Sequence, residues 1–210
     1  IKCYITGGSW IMSKIQTNKI QHTANGAAEF TLPQTDGSAN KVIKTNGSGT
    51  LSFGAGGISM MDNWRINTGF VGSTQDLTSN WERNDSNFSK IGTGMTESSG
   101  IFTFPATGIY KVDWIVNAFR MPSGATLRQI GGYIYTTTDN SSYNIRAKGS
   151  NSITTDNYAT INSYQSLIFD VTNTSTHKVK FGVFAEAEMR YEGTSDKNTT
   201  HATFTRLADT

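Results

Sequence analysis

The chain has 210 residues and a formal net charge of +2, and only 16% of its residues are charged. This low charge argues against a coiled coil, and the aromatic content of 11% argues against a disordered chain. Lys and Arg are scattered and no apolar stretch approaches the roughly 20 residues that span a bilayer, so we expect neither nucleic-acid binding nor membrane insertion. Abundant Ser, Thr and Asn suit turns and exposed sheet faces, so the composition favours an all-β protein.

The first 58 residues contain small, isolated groups of apolar side chains separated by Gly- and Ser-rich turns. Residues 41–44 and 50–53 flank one such turn, and this pattern predicts a short hairpin. Two short strands are marginally stable in water by themselves. A flexible linker is one interpretation. We favour a shaft or anchor whose apolar side chains, such as Phe30 and Phe53, are buried against copies of the segment or against a larger assembly, because leaving them in water is costly.

From residue 59 to residue 210 the sequence is typical of a series of strands. In residues 108–119 apolar and polar side chains alternate with the period of two that a half-buried antiparallel strand requires. A longer alternating run predicts a single strand over residues 178–192. No window has the periodicity of a helix. Further strands are predicted at residues 64–71, 101–104, 130–137, 167–171 and 202–204.

Seven or more strands in about 150 residues, joined by polar turns, indicate a sandwich, jelly roll or barrel. Some strands carry apolar side chains on both faces, with Ile115 next to Trp114 and Phe184 next to Val183. The outer face of an isolated sandwich is polar. Apolar groups on both faces therefore predict that one face is buried in a subunit contact.

No group of residues indicates catalysis or metal binding. The three histidines stand apart in the sequence, and the single cysteine, Cys3, excludes an intramolecular disulfide and any multi-cysteine metal site. Asp139, Asp156 and Asp196 lie in Asn- and Ser-rich loops that offer oxygen ligands for calcium, but without EF-hand spacing, so we favour turn formation. We expect no metal, no cofactor and no enzymatic activity.

The segment IFTFPATGIY, residues 101–110, resembles the central motif of the globular head shared by complement recognition heads and tumour necrosis factor. In that family an apolar strand runs into a Pro-x-x-Gly-x-Tyr turn and then a long core strand. The resemblance extends over roughly residues 60–210. It implies a jelly-roll β-sandwich of about ten antiparallel strands that forms a tight homotrimer. The residues assigned to the trimer contact or the core are Phe102, Phe104, Tyr110, Trp114 and Phe181.

The segment FTLPQTDGSANKVIKTNGSGTLSFG, residues 30–54, resembles segments repeated in virion structural proteins and tail fibres of bacteriophages. In such proteins the segment precedes a distal domain that contacts a receptor. The resemblance implies that residues 1–58 form an extended anchor or shaft that binds other virion proteins. Residues 59–210 would then form a jelly-roll knob.

Together the two resemblances predict a non-enzymatic virion protein, a short trimeric fibre at the virion surface on the tail or the head. Its knob would bind a host-surface glycan or protein. A decoration protein that stabilises the head shell is the alternative, and a polysaccharide-degrading spike is a third possibility that the short chain disfavours. The candidate ligand-binding residues lie in two polar loops, which are equally compatible with plain solvated turns. They are Asp139, Asn140, Tyr143, Asn144, Asn157 and Tyr158.

Overall fold

The computed structural model divides the chain into two compact units, Ile1–Gly57 and Ile58–Thr210. Strands are the only regular secondary structure in the part of the chain that it describes. The described residues are 17–21, 29–38, 41–85, 87–88, 90–120, 129–152 and 159–210.

The first unit contains two hairpins. Strand β1 (Lys19–Gln21) pairs with β2 (Glu29–Thr31), and β3 (Lys41–Thr45) pairs with β4 (Leu51–Ala55). The second pair confirms the hairpin predicted from the sequence. Every side chain of β3 is exposed, including its two apolar ones.

The second unit consists of thirteen strands that pair only in the antiparallel sense. The first six are β5 (Met60–Ile66), β6 (Thr68–Gly72), β7 (Gln75–Asp76), β8 (Trp81–Arg83), β9 (Thr96–Ser98) and β10 (Ile101–Thr103). The other seven are β11 (Gly108–Arg120), β12 (Gln129–Thr137), β13 (Asn144–Ser152), β14 (Thr160–Val171), β15 (Lys178–Ala185), β16 (Met189–Thr194) and β17 (His201–Ala208).

These strands form two sheets packed face to face. The six-stranded sheet has the order β13-β12-β15-β10-β9, with β7 added to β15. The seven-stranded sheet has the order β6-β16-β11-β17-β5-β8, and β14 pairs with β11 along nearly its whole length. This is the all-β jelly-roll sandwich predicted from the sequence.

Aromatic side chains from both sheets meet in the core. Phe102 of the six-stranded sheet packs edge-on to Trp64 of the seven-stranded sheet, with ring centroids 5.5 Å apart, and Phe181 packs against Trp114 at 5.0 Å. All five residues assigned to the trimer contact or the core, which also include Phe104 and Tyr110, are at most 1% exposed within the single chain. They therefore lie in the core of one subunit and leave no surface for a partner.

The turn before β11 explains the glycine of the PATGIY motif. Gly108 has a φ of +144°, and a Cβ atom there would lie 2.6 Å from the carbonyl oxygen of Ala208. The phenol of Tyr110 closes the turn by donating a hydrogen bond of 2.8 Å to the carbonyl oxygen of Ala106. Only glycine, which has no Cβ atom, can adopt this backbone angle and fit this close to Ala208.

Two segments were each predicted as one strand, and this is wrong because each is divided between two strands. Residues 178–192 form β15 and β16, which lie in different sheets, and residues 64–71 are divided between β5 and β6. The chain leaves one sheet at Ala185 and enters the other at Met189, and both residues are buried. The alternating pattern continues through this connection because the inner faces of both sheets are apolar. Strand β13 was not predicted, since its residues are almost all polar, and Asn144 begins that strand instead of ending a loop.

Candidate functional site

The turn between β12 and β13 is organised by the carboxylate of Asp139. Its Oδ1 atom accepts hydrogen bonds from Thr137 Oγ1 at 2.7 Å and from the backbone nitrogens of Ser141 at 2.9 Å and Ser142 at 2.7 Å. These donors stabilise the charged form, so the pKa of Asp139 lies well below its ordinary value. The turn is thus a rigid, permanently anionic element.

A second contact connects this turn to the turn between β14 and β15. Asn140 adopts a φ of +59°, a conformation that Asn tolerates better than most residues, and its backbone nitrogen donates to the carbonyl oxygen of Thr176 at 3.0 Å. Both turns therefore lie at the same end of the sandwich.

A cleft of about 330 Å³ lies between the β12–β13 turn and strand β14. One wall is polar and contains Asp139, Ser142 and Asn144 together with three consecutive threonines, residues 136–138. The opposite wall is formed by residues 167–169 of β14, where the side chains of Leu167 and Phe169 lie on the inner face of the sheet, and Arg146 of β13 completes the lining.

A β-bulge explains why Arg146 lines the cleft. Ile134 pairs with Ala147 and the next residue, Tyr135, pairs with Ile145, so Arg146 has no partner across the ladder. Such an extra residue changes the direction in which a strand presents its side chains. Arg146 is exposed, and among the described residues no carboxylate forms an ion pair with it.

The apolar wall is supported from behind. The ring of Phe169 stacks on His177, with centroids 5.6 Å apart, and meets Phe104 of the core at 5.8 Å. The His177 ring is held by two hydroxyls, Thr172 Oγ1 at 3.2 Å from Nε2 and Thr176 Oγ1 at 3.1 Å from Nδ1. The wall is therefore continuous with the rigid core.

The structure brings together only part of the predicted ligand-binding set. Asp139 and Asn144 line the cleft, whereas Asn140 contributes through its backbone. Tyr143 is not in the cleft lining: its ring lies 4.9 Å from Lys180 Nζ, its buried hydroxyl has no partner within the described residues, and burial raises its pKa. Asn157 and Tyr158 lie outside the described residues. Sequence analysis missed Arg146 and the β14 wall, because neither the bulge nor the approach of β14 leaves a sequence signal.

The outer face of the six-stranded sheet carries a row of aromatic rings covered by lysines. Phe184 stacks on Tyr133 with centroids 4.7 Å apart, and Lys148 Nζ lies 4.4 Å from the Phe184 ring centroid. Phe184 is only 7% exposed as a result. Phe184 therefore gives no support to the predicted subunit contact, because the residue is covered within its own chain.

On the outer face of the seven-stranded sheet a group of apolar side chains remains exposed. Tyr164 and Ile168 on β14 are each 56% exposed, and Ile115 of β11 lies directly opposite Tyr164. On the same face, Asp113 Oδ1 accepts hydrogen bonds from Tyr164 Oη at 2.6 Å and from Ser166 Oγ at 2.7 Å.

A lysine completes the interactions of this carboxylate. Lys111 Nζ donates to Asp113 Oδ2 at 2.8 Å. Partial burial alone would raise the pKa of Asp113, but the hydrogen bonds from Lys111, Tyr164 and Ser166 outweigh it and the pKa is lowered. The Asp113 carboxylate is thus paired within one chain.

Within the described ranges no three His, Cys, Asp or Glu side chains converge as metal ligands would. The same ranges contain no helix that is long and apolar enough to span a membrane.

Comparison with known proteins identifies the fold. No protein-family model and no curated protein matches the sequence. Among solved structures, Eiger TNF from S. frugiperda superposes with a TM-score of 0.55 at 13% identity, covering 73% of this chain and 95% of that one. Murine APRIL at pH 5.0 superposes with a TM-score of 0.52 at 14% identity, covering 70% and 98%. The second unit has the tumour necrosis factor-like jelly-roll fold.

Proposed function

We propose that the protein is a non-enzymatic, homotrimeric virion protein whose jelly-roll head binds a host-surface glycan or protein. The observation that carries the proposal is the outer face of the seven-stranded sheet. Tyr164 and Ile168 of β14 are each 56% exposed on this face, and Ile115 of β11 lies opposite Tyr164. Exposed apolar patches of this kind mark interaction surfaces.

A second copy of the chain is the occupant that best fits this face. Asp113 already has its donors, Lys111, Tyr164 and Ser166, within one chain. Covering Asp113 would therefore not leave its carboxylate unpaired, which is the usual cost of burying such a group. The tumour necrosis factor-like fold and the resemblance of residues 101–110 to that family both support a trimer.

The cleft at the β12–β13 turn is the proposed contact with the host surface. It lies at the end of the sandwich, where loops are available to a ligand without disturbing the sheets. Three copies in one trimer would multiply a weak single-site affinity through avidity.

Attachment to a virion is proposed from residues 1–58, on the resemblance of residues 30–54 to virion structural proteins. The first unit leaves apolar side chains uncovered, with Ile43 of β3 57% exposed and Phe53 of β4 36% exposed. Contact with other virion proteins would bury these side chains.

Electron microscopy of virions labelled with gold-tagged antibody against residues 60–210 tests the proposal. Label at the tail supports a fibre that binds the host. Label distributed over the capsid of the virion favours the alternative, a decoration protein, and loss of the protein should then weaken the capsid shell. The absence of label from every particle would reject a virion role.

A further inference from the structure

We propose that the cleft between the β12–β13 turn and β14 binds a sugar unit that carries a carboxylate, such as a uronic acid. The inference rests on the proposed function, since it names the class of ligand that the head would recognise. It depends on three features of the cleft: one unpaired cation, one rigid anion with hydroxyls beside it, and one apolar wall.

The cation is Arg146. The bulge in β13 brings it into the lining of the cleft, and no carboxylate pairs with it among the described residues. A guanidinium group binds a carboxylate through two parallel hydrogen bonds, which a lysine cannot do. Arg146 is the only cation that the described residues contribute to the lining of this cleft, so the ligand needs one carboxylate and not a row of charges.

The anion is Asp139. Its hydrogen bonds from Thr137, Ser141 and Ser142 keep it ionised and fix its position. An ionised carboxylate accepts hydrogen bonds and repels a second anion. The ligand must therefore place donors such as hydroxyl groups near Asp139 and its own carboxylate near Arg146, an arrangement that an acidic sugar provides.

The remaining groups suit a sugar ring. The hydroxyls of Thr138 and Ser142 and the amide of Asn144 can both donate and accept, as sugar hydroxyls do. Across the cleft, Leu167 and Phe169 offer an apolar surface to the C–H face of a ring. A volume of about 330 Å³ lies at the low end of the range for small-molecule sites, which favours one or two sugar units over a folded protein segment.

Nuclear magnetic resonance titration of the full-length protein with D-glucuronate and with D-glucose tests the inference. The two sugars differ at C6, where glucuronate has a carboxylate and glucose a hydroxymethyl group. We expect glucuronate to shift the amide signals of residues 136–146 and 167–169, and to bind about tenfold more tightly than glucose, as the loss of a charge-assisted hydrogen bond implies.

Two variants separate a specific site from general attraction of anions. Arg146→Met removes the guanidinium and should abolish the preference for glucuronate. Lys148→Met removes one positive charge from the same strand, but Lys148 Nζ lies over the Tyr133 and Phe184 rings on the other face of the sheet, so the preference should remain. N-acetylglutamate, which carries two carboxylates but no sugar ring, should bind more weakly than glucuronate despite its greater charge.

Equal binding of glucuronate and glucose, an equal loss of preference in both variants, or equal binding of N-acetylglutamate would overturn the inference. These results do not depend on the proposed function, because the titration reports on the cleft alone. A trimer that adheres to host cells without preferring glucuronate would leave the proposed function standing and reject only the acidic sugar.

Discussion

Asp62 and Arg83 form an ion pair at the edge of the seven-stranded sheet, with 3.0 Å between Asp62 Oδ1 and Arg83 Nε. The Asp62 carboxylate is fully buried, whereas the Arg83 side chain is 34% exposed. Asp62 Oδ2 also accepts hydrogen bonds from Trp64 Nε1 at 3.0 Å and from the Met95 backbone nitrogen at 2.7 Å. The pair thereby connects β5, β8 and the segment that leads into β9.

Removal of this arginine should strongly destabilise the head. Arg83→Met leaves Asp62 buried without its cationic partner, and breaking a buried pair in this way costs about 3–5 kcal/mol. Urea unfolding followed by tryptophan fluorescence measures the free energy of unfolding. The matched control is Arg146→Met, which removes an exposed arginine and should change stability by no more than about 0.5 kcal/mol. Equal stability of the two variants would contradict a structural role for the pair.

Replacing Ile168 by Asp should dissociate the proposed trimer. The substitution places a carboxylate on the outer face of the seven-stranded sheet, where a subunit contact would bury it without a partner. Ile145→Asp is the control, since Ile145 is similarly exposed, at 48%, but belongs to the six-stranded sheet. Sedimentation velocity should show a monomer for the first variant and the wild-type species for the second. If Ile168→Asp sediments like the wild type, the contact lies elsewhere.

The lysine over the aromatic row should stabilise the jelly-roll unit through its aliphatic stem as well as through its charge. Lysine side chains cover apolar surface with their methylene groups while the ammonium stays in water. Lys148→Ser would uncover the rings of Phe184 and Tyr133 and should cost about 1 kcal/mol, of which about half reflects the cation–π contact. Lys148→Met keeps the apolar cover and should lose only that half. The free energy of unfolding in urea distinguishes the two variants, and an equal loss would mean that the charge dominates.

Stability should fall between pH 10 and pH 12, in part because of Tyr135. Burial and the nearby carboxylate of Asp76 raise the pKa of Tyr135 from 10.0 to about 12. The folded state therefore holds the phenol proton more tightly than the unfolded state, so its contribution is complete below pH 10 and is lost as pH rises to about 12. Tyr135→Phe should unfold with a shallower pH dependence in this window. The same slope in both proteins would show that other tyrosines account for the effect.

The core could be predicted from the sequence wherever one face of a strand is apolar and the other polar. In β11 the five residues Tyr110, Val112, Trp114, Val116 and Ala118 are fully buried, and the opposite face carries the polar residues Lys111, Asp113 and Asn117. Strand β14 was predicted only from residue 167 onward. Its first half buries Ser163 and Gln165 along with Ile161, so the buried face carries only a weak hydrophobic signal there.

The candidate site could be predicted only in part. Asp139 and Asn144 were found because a polar loop between strands is easily recognised. Arg146 was missed because its direction depends on how β13 pairs with β12, where the register shifts between Ile134 and Tyr135. A register shift depends on contacts between two strands and leaves no local pattern in either.

The mass of the protein in solution tests the account most directly. Both the proposed burial of the outer face of the seven-stranded sheet and the proposed avidity depend on the homotrimer. Sedimentation equilibrium at micromolar concentration should give three times the chain mass of 22.9 kDa. A mass of 22.9 kDa, unchanged as the concentration rises, would contradict the trimer and the proposed role of the seven-stranded sheet.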